Sequence, residues 1–124
     1  MIRLSPEEFE EMVVRCYEGL PEGLLGYLEN LDIVVEERPS DETLVETGTG
    51  SADELLGLYS GISRLERGDG LPFLPDKITL FQRPIEEICG TREEVAEEVR
   101  KTLLHEVGHY LGMDEEHLDR LGYS

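Results

Sequence analysis

The sequence predicts a protein that has helices near both ends of the chain and short β-strands between them. Near each end, apolar residues recur every three or four positions, as they do on the buried face of a helix. The middle of the chain instead has short runs of β-branched and apolar residues bounded by turn-forming residues. A chain of 124 residues with 39% hydrophobic residues is long enough for one modest core. We therefore expect a single domain over residues 1–124.

The first helix is predicted to begin after Ser5. Ser5 can cap the helix, Pro6 suits its first turn, and Glu8 can reach back to complete a capping box. Pro21 then stops the run. The apolar stripe on this helix is expected to lie in the core and consists of Phe9, Met12, Val13, Cys16, Tyr17 and Leu20.

Three short strands are predicted in the middle of the chain. They are LDIVVEE at 31–37, LLGLYSGI at 55–62 and KITLFQR at 77–83, the last ended by Pro84. Glycines in and beside the second strand often mark a bulge or a close approach of two backbones. The acidic stretch 40–53 is expected to form a solvated loop, and the Gly- and Pro-containing stretch 64–75 a turn-rich connection.

A long helix is predicted to follow, from Thr91 to Gly112. Thr91 can cap it, with Glu94 three residues further on, and Gly112 suits its C-terminal end. Its apolar positions include Val95, Val99, Leu103 and Val107. Asp114 then resembles the N-cap of a short C-terminal helix.

The charge of the chain bears on its partners and its location. The formal net charge of −18 should repel phosphate backbones, so no nucleic-acid partner is expected. No apolar run approaches the roughly 20 residues that a bilayer requires, and the opening MIRLSPEEFEEM is acidic where a secretory signal would be apolar. We expect a cytoplasmic protein without membrane contact, in which Cys16 and Cys89 are free thiols.

All 3 histidines of the chain lie in the segment HEVGHYLGMDEEH, residues 105–117. His105 and His109 are four positions apart, so on a helix their side chains lie about 40° apart on one face and can reach one ion. Imidazole nitrogens suit Zn²⁺. The alternative is a solvated helix face that happens to carry two histidines, but the HExxH spacing followed by Gly112 favours a metal site.

Glu106 lies at the edge of the apolar stripe of the same helix. The angle of each side chain around the helix axis can be measured from Val95. With about 100° of rotation per residue, Glu106 then lies near 20°, between the apolar stripe and the histidine face. An unpaired carboxylate in that position would be costly. Beside a metal, however, it could accept a proton from water, so Glu106 is the candidate general base.

The segment at 105–112 also resembles the signature of a known enzyme family. HEVGHYLG resembles the HExxHxxG signature of the zincin metallopeptidases, in which the helix supplies two zinc ligands and the glutamate is the general base. With the segments YSG, ITLF and HLDRLGY, the chain is similar over most of its length to the small bacterial minimal-zincin family. The resemblance implies an α+β fold, with a small mixed sheet against the long helix and Zn²⁺ in the groove between that helix and an edge strand.

The third zinc ligand departs from the familiar HExxHxxGxxH pattern, because residue 115 is glutamate. Gly112 lets the chain turn back, and the resembling families place their third ligand at the position of Glu115, which is therefore the predicted ligand. His117 is the alternative, since histidine is the commoner zinc ligand. Asp114 is assigned to capping.

Two other metalloprotein families match in part. Peptide deformylases also carry HExxH and use a cysteine as third ligand, which would nominate Cys89, but the chain lacks their glycine-rich first motif. The bacterial rRNA-processing metalloproteins share HxxxHxxGxD, but they lack the glutamate after the first histidine, and their third histidine falls at Glu115. The acidic charge also argues against RNA.

The sequence thus predicts a cytoplasmic zinc-dependent hydrolase of the peptidase class. His105, His109 and Glu115 are the predicted ligands, Glu106 is the predicted base, and the strand at 55–62 is expected to pair with an extended peptide or protein substrate. The alternative is a zincin-like module that binds a metal or a partner without turnover. An intact Glu106 favours catalysis, whereas the small size of the chain favours restricted or absent activity.

Overall fold

Helices packed against a small mixed sheet give the chain an α+β fold, as predicted. A computed structural model describes residues 2–20, 22–26, 28, 31–50, 55–61, 76–112, 116 and 120. The helices within these ranges are α1 (Pro6–Glu18), α2 (Glu22–Leu25), α3 (Asp41–Thr47), α4 (Gln82–Glu87) and α5 (Arg92–Tyr110). The strands are β1 (Leu31–Glu36), β2 (Gly57–Ser60) and β3 (Asp76–Phe81).

Strand β3 is the central strand of the sheet. It pairs in parallel with β1, with Ile33 opposite Ile78. On its other side it pairs antiparallel with β2, with Tyr59 opposite Ile78. Among the described residues the strand order is therefore β1-β3-β2, and β2 is an edge strand. The central position of β3 fits its sequence, because Ile78 and Leu80 are fully buried.

Helix α1 begins with the predicted capping box. The N–H of Glu8 donates to Ser5 Oγ at 3.1 Å, and the N–H of Ser5 donates to a carboxylate oxygen of Glu8 at 3.0 Å. The hydrogen bond from the Ser5 backbone, followed by the side chains of Arg92 and Ser5, lowers the pKa of Glu8 to about 2. Phe9 and Val13 are buried, so the predicted stripe does face the core.

The core lies between α5, α1 and the sheet. Helix α5 contacts α1, α4, β2 and β3, and it contributes the largest share of the buried side chains. Its fully buried aliphatic residues are Val95, Val99 and Leu103. Burying one such side chain contributes about 1.5–3 kcal/mol. None of the helices in the described ranges combines the length and the apolar character of a membrane span.

Two of the sequence predictions are wrong. Part of the stretch 40–53 is helix α3 rather than a loop, since the Thr43 N–H donates to Ser40 Oγ at 3.1 Å and Gly48 ends the helix with φ of 71°. The third strand ends at Phe81 instead of Arg83, and Pro84 lies inside α4. Pro84 is tolerated because the first turn of a helix does not use its N–H groups in helical hydrogen bonds.

Other predictions agree with the structure where it describes the residues. Strands β1 and β2 and helix α5 lie within the segments predicted for them. The connection predicted at 64–75 lies outside the described residues. The predicted C-terminal helix is also largely outside them, with Glu116 and Arg120 the two positions described, both helical. The short helix α2 is an addition that the sequence does not predict.

Candidate metal site on helix α5

The two candidate ligands lie in the last turns of α5. The helix begins at the predicted cap, where the Glu94 N–H donates to Thr91 Oγ1 at 3.1 Å. It then runs without interruption through His105 and His109 to Tyr110. Because the helix is regular over this length, residues four positions apart project from the same face. Both histidines are half-buried rather than fully exposed to solvent.

The imidazoles of His105 and His109 converge through their Nε2 atoms. These atoms are 3.0 Å apart, and the ring planes meet at 72°. Two nitrogens that bind one tetrahedral zinc ion at about 2.0–2.1 Å are separated by about 3.3 Å. A change of a few tenths of an ångström would therefore open this pair to the spacing that an ion requires. The donor set fits zinc, since imidazole nitrogen is a preferred zinc ligand.

Glu106 is buried beside the two histidines. Its side chain is 9% exposed. One atom each from His105, Glu106 and His109 lies within 4.8 Å of the others. Glu106, predicted to lie at the edge of the apolar stripe, is thus a buried carboxylate next to two imidazoles. A buried carboxylate needs a hydrogen-bond donor, and the structure supplies one, because the backbone N–H of Tyr59 donates to Glu106 Oε1 at 2.9 Å.

The donor for Glu106 comes from the edge strand β2, which lies very close to α5. A Cβ placed on Gly57 would be 2.6 Å from Thr102 Cγ2 on α5, closer than real Cβ atoms approach. Only glycine leaves room for this approach of strand and helix. Gly57 therefore lets β2 lie close enough to α5 for the Tyr59 N–H to donate to Glu106. The sequence indicates a close approach at this strand, but not the residue that it brings to the site.

A groove of about 310 Å³ adjoins the cluster. It lies between β2 and α5, with Leu56 and Gly57 on the strand side and Thr102, His105 and Glu106 on the helix side. Glu98 and Lys101 add one charge of each sign to its lining. Its volume is at the small end of the roughly 300–1,000 Å³ typical of ligand sites. The groove can thus hold a short stretch of an extended chain next to His105.

The third ligand position lies outside the described residues. This applies to Glu115, to its alternative His117 and to Asp114, the predicted cap. The structure does describe the turn before them: α5 ends at Tyr110, and Gly112 has φ of 82°, in the left-handed region that favours glycine. The chain thus leaves the helix where the sequence predicts.

Cys89 does not belong to this site. It lies two positions before the cap Thr91, and from position 91 to position 105 a helix rises about 21 Å at 1.5 Å per residue. Two residues of chain span at most about 7 Å, so the Cys89 thiol cannot reach an ion held by His105. Burial also raises the pKa of the thiol, which disfavours the thiolate that binds metals. Cys89 and Cys16 are both free, as expected.

Comparison with known proteins agrees with the observed fold. A family model described as zincin-like metallopeptidase matches residues 28–123, a range that includes the three clustered residues. No curated protein matches the chain. A solved structure, described as a conserved hypothetical protein from Thermus thermophilus, is similar with a TM-score of 0.55 and 24% sequence identity. The match covers 97% of this chain and 100% of that one, and it supports the fold.

Proposed function

Because the chain belongs to the zincin-like metallopeptidase family, we propose that it is a zinc-dependent hydrolase that cleaves peptide bonds. The observation that carries the proposal is the convergence of two imidazole nitrogens, 3.0 Å apart, beside a buried carboxylate. Neither feature is expected of an ordinary solvated helix face. Buried carboxylates next to paired imidazoles are typical of metal-dependent active sites.

His105 and His109 would hold the ion together with Glu115, or with His117 as the alternative. When bound, zinc supplies a Lewis acid that polarises a carbonyl and makes water acidic enough to lose a proton near neutral pH. Glu106 is the group beside the ion that can accept that proton, and it can later return it to the leaving amine. Burial of Glu106 excludes bulk water from the base, which strengthens its interaction with the reacting groups.

The proposed substrate is an extended segment of a peptide or protein. Leu56 accepts a hydrogen bond from the Phe81 N–H, so alternate residues of β2 face β3. The backbone groups of Gly57 and Tyr59 consequently face the outer edge of the strand, on the side of the groove. An added strand uses such outward groups. Nucleic acid is not proposed, because the net charge is −18.

One observation favours the second candidate, a module that binds metal or a partner without turnover. The outward N–H of Tyr59 already donates to Glu106, so in this conformation it cannot donate to an added strand. The groove is also small. A substrate strand would have to displace this hydrogen bond or pair beside it. The two candidates therefore differ in whether Glu106 does chemistry or only closes the strand edge.

The experiment that separates them compares zinc-loaded wild type with Glu106→Gln on a broad library of unstructured peptides, read by mass spectrometry. Glutamine keeps the shape of the side chain but accepts no proton, so cleavage should fall by roughly 10²-fold or more while zinc content stays the same. Chelator should stop wild-type cleavage. If zinc-loaded wild type cleaves nothing in the library, the hydrolase proposal fails and the binding module replaces it.

A further inference from the structure

We propose that Tyr59 is the positioning residue for Glu106. Its backbone amide orients the carboxylate, and its side chain fixes strand β2 at the distance from α5 that this hydrogen bond requires. The proposal rests on the proposed function for the role of Glu106 as a base. It assigns to the N–H and the side chain of Tyr59 no contact with substrate or metal, and it leaves the outward carbonyl of Tyr59 to pair with a substrate strand.

The backbone N–H of Tyr59 reaches Glu106 from the outer edge of the sheet. Tyr59 lies opposite Ile78 in the antiparallel pair, at a position whose N–H points away from β3. At the edge of a sheet such an N–H normally faces solvent. Here it donates to Glu106 Oε1 at 2.9 Å, across 47 positions of sequence. A carboxylate held by a backbone amide has a fixed direction, and a base must point at the water it deprotonates.

The side chain of Tyr59 is held at two further places. Its ring meets the ring of Tyr110 edge to face, with centroids 5.9 Å apart and planes at 63°. Tyr110 follows the candidate ligand His109 directly on α5. The Tyr59 hydroxyl donates to Asp76 Oδ1 at 3.1 Å, and Asp76 is 1% exposed. One residue of β2 is thus tied to α5 by its ring and to the first residue of β3 by its hydroxyl.

Two glycines make this arrangement possible. Gly57 permits the close approach of β2 to α5, because any Cβ there would overlap Thr102. Gly61 has φ of 144°, and a Cβ there would overlap the Asp76 carboxylate that accepts the Tyr59 hydroxyl. Both glycines of the segment GLYSG therefore serve contacts made by the tyrosine between them.

Amide hydrogen exchange, followed by NMR on the metal-free full chain, tests the backbone contact directly. Glu106→Ala removes the acceptor and should speed exchange of the Tyr59 amide about tenfold or more, since its hydrogen bond is lost. Glu106→Gln keeps an acceptor oxygen and should leave exchange within a few-fold of wild type. The Leu58 amide faces β3 and is the internal control, unchanged in both variants. An unaltered Tyr59 amide in Glu106→Ala would overturn the proposal.

The side-chain part of the proposal is tested with Tyr59→Phe, which keeps the ring and the amide but loses the hydroxyl bond to Asp76. We expect about two- to tenfold faster exchange of the residue-59 amide, and a several-fold lower kcat with unchanged KM and zinc content. Tyr17→Phe on α1 is the matched control and should change none of these.

The outcomes distinguish this proposal from the proposed function. If zinc content falls together with kcat in Tyr59→Phe, the tyrosine only supports the fold, and positioning of Glu106 is refuted. If Tyr59→Phe leaves both amide exchange and kcat unchanged, the proposal is also refuted. If wild type shows no hydrolysis while both exchange effects occur, the hydrolase proposal fails but Tyr59 still orients Glu106.

Discussion

The close contact between Gly57 and Thr102 provides a sharp test of how the edge strand sits on α5. Gly57→Ala adds one methyl group whose carbon would lie 2.6 Å from Thr102 Cγ2 and 3.4 Å from the Thr79 carbonyl oxygen. The first of these distances is shorter than real Cβ contacts allow. The strand, the helix or the Thr102 side chain must therefore shift, and the packing between β2 and α5 must loosen.

The expected magnitude combines two opposing effects. Overpacking of a well-packed interior costs about 1–3 kcal/mol. Replacement of glycine by alanine also restricts the unfolded chain, which stabilises the folded state by about 0.4–1 kcal/mol. We therefore expect Gly57→Ala to lower the free energy of unfolding by about 1–2 kcal/mol. Gly26→Ala, at a glycine with no atom within 4 Å of its added Cβ, should stay within about 0.5 kcal/mol of wild type.

A double-mutant cycle, measured by urea unfolding, tests whether Gly57→Ala loses stability through contact with Thr102 Cγ2. Thr102→Ser removes Cγ2, the atom that the new methyl would meet, at a cost of about 1 kcal/mol for the lost methyl group. In that background Gly57→Ala should cost less than half as much, a coupling of about 1 kcal/mol. Equal costs of Gly57→Ala in the two backgrounds would mean that β2 and α5 are not in contact there, and the description of the site would be wrong.

Three further predictions concern the metal ligands and the acid stability of α1. His105→Ala and His109→Ala should each abolish zinc binding measured by elemental analysis, and wild-type zinc content in either variant would place the ion elsewhere. Glu115→Ala should weaken zinc binding far more than His117→Ala in a competition titration. Loss of a direct ligand removes a bond to the ion, whereas loss of a residue that only supports a ligand typically lowers metal affinity about 10–100-fold. The reverse order would make His117 the ligand. Glu8 has its pKa lowered from 4.5 to about 2, so its contribution to stability is present above pH 4.5 and is lost as the pH falls towards 2. The difference in melting temperature between wild type and Glu8→Gln should therefore be clear near neutral pH and vanish in strong acid, and a constant difference would contradict the assignment.

Local signals predict much of the fold. The capping box at Ser5 and the cap at Thr91 lie where the sequence indicates, because caps depend on residues within one turn of each other. Helix α3 departs from the prediction although its cap Ser40 and its terminal Gly48 are equally local signals. Its stretch of sequence is acidic and has only a weak apolar stripe, which is also the pattern of a solvated loop.

The polar interior could not be predicted from local patterns. Glu86 is 1% exposed. Its carboxylate accepts a hydrogen bond of 2.8 Å from the N–H of Leu4, which is 82 positions away in the sequence. The Tyr59 amide likewise reaches Glu106 across 47 positions. Such contacts depend on which distant segments the fold brings together. The histidine pair was predictable because both members lie on one helix, whereas the donor that orients Glu106 lies on another element.

The central claim is that His105 and His109 hold one zinc ion beside a base that is not itself a ligand. Anomalous diffraction at the zinc absorption edge, from crystals of the zinc-loaded chain, tests it most directly. We predict one strong peak about 2.0–2.1 Å from both Nε2 atoms, with the Glu106 carboxylate next to the ion but not bonded to it. A peak at another place in the chain, or no peak at full zinc loading, would contradict the account.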